Sequence, residues 1–178
     1  MIRRACLAIM ASPIAAGCSS EKKEEQPPRP ANVHEMMTKE IDPTADAIWS
    51  IGNKALNDEA LIDPAKLTAD DWQKLEHEAN EMATAARALS VLDPIIVMRP
   101  GAKIADEGTP AAQVAEHLKG DPDTFRALAE SLSQHASELA RSSQAKDAAT
   151  AGRLINEMDA VCENCHPGIL VSRTEKAD

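Results

Sequence analysis

The sequence is poor in aromatic residues and contains no tyrosine. Trp49, Trp72 and Phe125 are the only large rings in 178 residues. A core built from this chain would therefore consist mainly of small and aliphatic side chains. A flat, mostly apolar cofactor would supply the missing bulk, although a thin alanine-rich helical core without a cofactor fits the same composition.

Long apolar runs are also lacking. The stretch from Ala5 to Ala16 is too short to span a bilayer. Arg3 and Arg4 precede it, so residues 1–17 are predicted to be an export signal peptide. The segment that ends in Cys18, Ile-Ala-Ala-Gly-Cys, resembles a bacterial lipobox, which predicts lipidation of Cys18 and anchoring to a membrane. Ordinary signal cleavage nearby, with Cys18 incidental, is the alternative.

The chain has a large excess of acidic residues. Cleavage before Cys18 would leave 17 basic and 29 acidic residues, a net charge of −12. This charge makes nucleic acid an improbable partner and favours partners with a basic surface. Residues 18–30 are charged and rich in proline, which predicts a lipidated N-terminus followed by a disordered tether.

The folded part is predicted to be all-α, because apolar residues nowhere alternate with polar ones for long enough to form a strand. Apolar stripes at helical spacing indicate four long helices and an antiparallel four-helix bundle over residues 31–168, followed by a C-terminal tail at 169–178. A long connection with a short helix separates the second and third helices. The predicted helices cover 33–54, 69–92, 122–142 and 146–166, and the short helix covers 110–118.

Local signals mark several helix starts. Pro43 falls inside the first helix and predicts a kink, or a restart with Asp42 as the N-cap. Thr68 with Asp71 resembles a capping box at the start of the second helix. Thr109 and Asp121 are the predicted caps of the short helix and of the third long helix.

Cysteine usage points to one site. With Cys6 in the signal and Cys18 as the lipid candidate, only Cys162 and Cys165 remain, and His166 follows them directly. C-x-x-C-H is the attachment signal for a c-type haem, because two thiols three residues apart on a helix can reach the vinyl groups of one porphyrin. The adjacent imidazole would bind the iron. A zinc site, a thioredoxin-like redox pair and a plain surface disulfide are the competing interpretations. The sequence offers no second ligand pair for zinc and no βαβ setting for a redox pair, and a disulfide would leave His166 unexplained.

The position of this motif on the last helix resembles the cytochrome c prime superfamily, the class II c-type cytochromes. The resemblance covers residues 31–168 and includes Met37 through Trp49, Met-x-x-x-x-Asp-Pro-x-Ala-Asp-x-x-Trp. It implies a four-helix bundle with one covalent haem c, a periplasmic location and, in some members, a homodimer. The chain departs from the family after His166, where Pro167 and Gly168 precede the next basic residue, Arg173.

The sixth iron ligand would decide the function. The resemblance implies that the first helix supplies it when one is present. Met37 lies on the apolar stripe of that helix with Val33 and Ile41, and is the candidate. A vacant position is the alternative, and Met36, His34 and Met98 are further candidates. Met36 is expected to share its helix face with Glu40.

The other histidines lie on polar stretches of their helices. We therefore expect His77, His117 and His135 to face solvent and not to bind the iron.

With His166 and Met37 both bound, the protein would be an electron carrier and not an enzyme, since the sequence offers no nucleophile–base pair or paired carboxylates. A five-coordinate protein that binds nitric oxide or carbon monoxide is the second hypothesis. A haem-containing structural subunit of a membrane complex is the third. We expect Arg99 to lie either against a haem propionate or on the surface.

Overall fold

The computed structural model describes residues 31–59, 61–102 and 110–170, with side chains to residue 166. The described part is all-α and has no strand, which confirms the predicted fold class; its one β-type pairing is the isolated bridge between Leu56 and Ile62. The signal peptide, Cys18 and the tether lie outside the described residues, as do Cys6, Thr109 and residues 171–178. No helix in the described ranges is long and apolar enough to cross a membrane.

The first predicted helix consists of three consecutive segments. Helix α1 covers Val33–Met36, a π-helical turn covers Met37–Ile41, and helix α2 covers Asp42–Ala55. Further along the chain lie a 3-10 helix and the remaining long helices. These elements are the 3-10 helix Pro64–Lys66, α3 Ala69–Ser90, α4 Ala111–Gly120, α5 Pro122–Gln144 and α6 Ala148–Leu170.

The π-helical turn accommodates Pro43. Proline has no amide hydrogen, so it cannot continue the regular hydrogen-bonding pattern of a helix. The backbone N–H of Asp42 donates to the carbonyl of Met37, five residues back. The buried hydroxyl of Thr44 donates to the carbonyls of Glu40 and Ile41, at 3.0 and 2.8 Å. The sequence predicted a kink or a restart at Pro43. The chain stays helical through one wider turn, and α2 then begins with Pro43 in its first turn, although Asp42 is not its N-cap.

The helix starts follow side-chain caps. Thr68 and Asp71 form the predicted capping box at the start of α3. Asp121 accepts the backbone N–H of Thr124 at 3.1 Å ahead of α5, also as predicted. Helix α6 begins at Ala148, two residues later than predicted, and continues to Leu170, into the first two residues of the predicted tail.

The core lies between the long helices. Helix α3 packs along α5, α5 packs along α6, and α2 contacts both α3 and α6. The predicted stripes face this core: Ile48, Leu75 and Leu139 are fully buried. The carbonyls of Ile96 and Val97, in the long connection, accept the backbone N–H groups of Val33 and His34 and so fix the start of α1.

Candidate functional site

A cavity of about 240 Å³ opens at the end of the molecule where α1 begins and α6 ends. All the α-helices contribute to its wall, together with the π-helical turn. Most of the lining is apolar, and the polar exceptions are two carboxylates, two thiols and one imidazole. The apolar side chains are Val33, Met37, Ile41, Ala45, Trp49, Leu89, Val114, Leu118, Phe125, Ala129 and Leu132, and the polar ones are Asp42, Asp46, Cys162, Cys165 and His166.

The residues of the predicted attachment motif lie on the last turns of α6. Cys162 and Cys165 are three residues apart on a continuous helix, so their side chains share one face, which is turned to the cavity. Both are half-buried and neither is in a disulfide. His166 lines the same cavity but has one side in solvent.

The environment keeps both sulfurs in the thiol form. Burial raises the pKa of Cys162 to about 11, and the neighbouring Cys165, Asp159 and Asp42 act in the same direction. Burial also raises the pKa of Cys165. A redox-active or nucleophilic cysteine needs a lowered pKa, so these thiols resemble attachment points more than a thioredoxin-like pair.

Met37, the proposed sixth ligand, lines the cavity from the opposite helix. It is the first residue of the π-helical turn and is half-buried. Val33 and Ile41 lie on the same wall, as the apolar stripe predicted. The first helix and the last helix therefore bring Met37 and His166 to one cavity, although their roles as ligands stay a prediction.

The other candidate ligands lie elsewhere in the described structure. Met36 is only 4% exposed and packs in the core, away from the cavity lining. The sequence placed it on the same face as Glu40, and this was wrong because the π-helical turn changes the angle between the two residues. His34 and Met98 line a separate surface groove.

Arg99 lies in that same groove and pairs with Glu35, with 2.5 Å between its Nη2 and a carboxylate oxygen. Arg99 thus lies on a surface groove, one of its two expected positions, and its pairing with a haem propionate stays a prediction. The ion pair tethers the long connection to α1. Burial acts to raise the pKa of Glu35, but hydrogen bonds from Lys39 and Asn32, together with the charges of Arg99 and Lys39, outweigh it and lower the pKa.

Two features of the site were not predicted from the sequence. Helix α4 supplies Val114 and Leu118 to the cavity wall, although its pattern indicated only a short connecting helix. Asp42 was expected to cap or kink the helix at Pro43, but it lines the cavity, as does Asp46 one turn later. The four-residue spacing of the two aspartates was the available signal, because it places both on one helix face.

Among the remaining histidines, His135 differs from expectation. It was placed on a solvent-facing stretch, but its Nε2 lies 2.8 Å from the carbonyl oxygen of Leu154 and links α5 to α6. His77 is exposed, as expected. Neither lines the cavity.

Comparison with known proteins gives no relative. No family model, no curated protein and no solved structure matches the chain significantly. Within the described residues, no group of three or more His, Cys, Asp or Glu side chains could hold a metal ion.

The residue types around the cavity fit a c-type haem. Two thiols on one helix face can form thioether bonds, and the imidazole next to them is an iron ligand of the usual kind. A methionine thioether faces them from the first helix. The apolar lining suits the faces of a porphyrin.

Proposed function

We propose that this chain is an exported electron-transfer protein that holds one covalent haem c. The proposal rests mainly on one observation: a single apolar cavity is lined by the motif residues Cys162, Cys165 and His166 and by Met37, which is far from them in the sequence. A chance C-x-x-C-H sequence on a surface helix would have no reason to face such a cavity. Export with lipidation at Cys18, and a partner with a basic surface, complete the proposal.

The arrangement of the helices supports the finer fold proposal, an antiparallel four-helix bundle like that of the cytochrome c prime superfamily. The cavity is lined by Met37 and Asp42 at the start of the first helix, and by Leu89 near the end of α3. It is also lined by Phe125 near the start of α5 and by Cys165 near the end of α6. Along the chain, the long helices therefore alternate between starting and finishing at the cavity. An up-down-up-down bundle requires this alternation.

The bound haem would supply a one-electron couple at its iron. Cys162 and Cys165 would attach it to α6, and His166 would hold the iron from the same helix. Met37 would bind from the opposite wall, and a thioether ligand favours the reduced state and so raises the potential. Val114, Leu118 and Phe125 would exclude water from the apolar part of the cavity.

The test is an optical spectrum of the protein expressed with a cytochrome c maturation system. We expect a covalently attached haem with a low-spin spectrum and a charge-transfer band between methionine sulfur and ferric iron. Met37→Ala should abolish the band and give a high-spin spectrum, because the cavity offers no second sulfur from the first helix.

Met36→Ala is the matched control for this experiment. Met36 is the neighbouring methionine, buried in the core and not part of the cavity lining. Its truncation should lower the unfolding free energy by about 2–5 kcal/mol and leave the spectrum low-spin. A protein without haem would refute the whole proposal, and a high-spin wild-type spectrum would refute the role of Met37.

Gas binding is the second candidate function, and the apolar lining of the cavity favours it. Apolar side chains from α3, α4 and α5 form the cavity wall around Met37. A site of this kind can take small neutral ligands such as nitric oxide or carbon monoxide. A wild-type protein that is high-spin and binds carbon monoxide rapidly would establish this alternative.

A further inference from the structure

The π-helical turn begins at the proposed iron ligand. Met37 is the first residue of the turn, and its carbonyl accepts the backbone N–H of Asp42, five residues later. Helix α1 precedes the turn and α2 follows it directly. A π-helical turn adds one residue to a helix, and such turns are frequent at functional sites. The location of this turn connects it with the placement of Met37.

Pro43 and Thr44 account for the turn. In a regular α-helix the ring of Pro43 would collide with the carbonyl of Lys39, four residues back, and could donate no hydrogen bond to it. The buried hydroxyl of Thr44 donates to the carbonyls of Glu40 and Ile41, at 3.0 and 2.8 Å. Pro43 therefore disfavours the tighter turn, and Thr44 stabilises the wider one.

The extra residue sets the direction of every side chain before it. Each residue of an α-helix rotates the chain by about 100° and advances it by about 1.5 Å. If residues 33–55 formed one regular helix on the same α2, each side chain of α1 would occupy the place that the preceding residue has in the structure. Met37 would then take the place of Met36, in the core, and Thr38 would take the place of Met37 at the cavity.

We propose that the π-helical turn, imposed by Pro43 and held by Thr44, places Met37 at the iron and so decides which kind of haem protein this is. With the turn, a thioether from the first helix lines the cavity, as the proposed electron carrier requires. Without it, Thr38 would face the cavity, and the sixth position would be open to small ligands. The role of Met37 as a ligand rests on the proposed function, whereas the placement of the two methionines does not.

Pro43→Ala combined with Thr44→Val tests the proposal, because this double substitution removes both causes of the turn. Deletion of Lys39 in the same background is the matched control, since a regular helix that is one residue shorter returns Met37 to the cavity. Lys39 is exposed, so its loss removes no core contact. In the haem-loaded protein we expect the charge-transfer band between methionine sulfur and ferric iron to disappear in the double substitution. The band should return when Lys39 is also deleted.

Oxidation of the haem-free protein by dilute hydrogen peroxide gives a second readout, with the methionine sulfoxides located by mass spectrometry. In the wild type, Met37 lines an open cavity whereas Met36 is only 4% exposed, so Met37 should be oxidised faster. The double substitution should reverse this order, because Met37 moves into the core and Met36 moves out of it. Deletion of Lys39 should restore the wild-type order.

A band that persists in the double substitution, or an unchanged order of oxidation, would overturn the proposal and leave the proposed function intact. A wild-type protein that acquires no haem would overturn the proposed function and the ligand role of Met37, and the order of oxidation would still test the placement. Circular dichroism of each variant shows whether the helices are retained. If the double substitution does not fold, the wild type decides the matter, since faster oxidation of Met36 than of Met37 overturns the placement.

Discussion

The two thiols on α6 combine partial exposure with low reactivity. Burial raises the pKa of both, and Cys162 reaches about 11. Thiolate is the nucleophilic form of cysteine, so we expect both sulfurs to react slowly without catalysis at neutral pH. The proposed attachment to haem would then require a maturation system that presents the vinyl groups to the thiols.

Alkylation of the haem-free protein measures this property of Cys162. In a variant with Cys6, Cys18 and Cys165 replaced by serine, Cys162 is the only thiol. We expect about a hundredfold less thiolate at pH 8 than in an ordinary cysteine, with a correspondingly slow reaction with iodoacetamide that accelerates toward pH 11. A rate at pH 8 equal to that of free cysteine would show that the site is not buried.

At the scale of elements, the close packing of α6 on α2, and on the segment that follows α2, depends on two glycines. A Cβ built on Gly52 would lie 2.8 Å from Cγ2 of Ile155, and one built on Gly152 would lie 2.9 Å from Cγ1 of Ile62. Both distances are shorter than van der Waals contact allows. Helix α6, which carries Cys162, therefore approaches α2 and the segment around Ile62 closely only because these two glycines have no side chain.

Gly52→Ala should destabilise the protein despite the better helix propensity of alanine. Ile155 is buried and the contact is made by its branch-point methyl, so neither partner can move cheaply. We expect a net loss of about 1–2 kcal/mol in urea unfolding. Gly120→Ala is the control, because no atom lies within 4 Å of a Cβ at that position. Equal stabilities of the two variants would contradict the close packing of α2 on α6.

The sequence predicted the regular helices well and the irregular segments poorly. Apolar periodicity located α3 and α5 to within two residues of their ends, because long amphipathic helices repeat the same signal over many turns. The direction of the Asp42 side chain and the burial of Met36 depend on one extra residue in a π-helical turn. The apolar pattern is read over a whole helix, so it does not reveal an extra residue in a single turn. The contribution of α4 to the cavity wall depends on how this helix packs against the others. The ten residues of α4 do not indicate that packing by themselves.

At the scale of the whole molecule, acidic residues stabilise the starts of three long helices. Asp71, Asp121 and Asp147 accept backbone N–H groups at or near the first turns of α3, α5 and α6. Hydrogen bonds lower the pKa of each carboxyl. Lys54 and Thr68 donate to Asp71, Thr124 donates to Asp121, and Thr150 donates to Asp147. The same charges that make the protein acidic therefore also cap its helices.

This arrangement predicts a stability that falls in acid. A carboxyl whose pKa is lower in the folded state stabilises the protein above its unfolded pKa of about 3.9, and this contribution disappears as the pH falls toward the folded pKa. Urea unfolding should therefore give similar free energies at pH 7 and pH 5 and a clearly lower value at pH 3. Asp121→Asn combined with Asp147→Asn keeps the capping oxygens but removes two titrating groups, so this variant should lose less stability between pH 5 and pH 3. Identical losses in the variant and the wild type would mean that the caps do not set the acid limit of the fold.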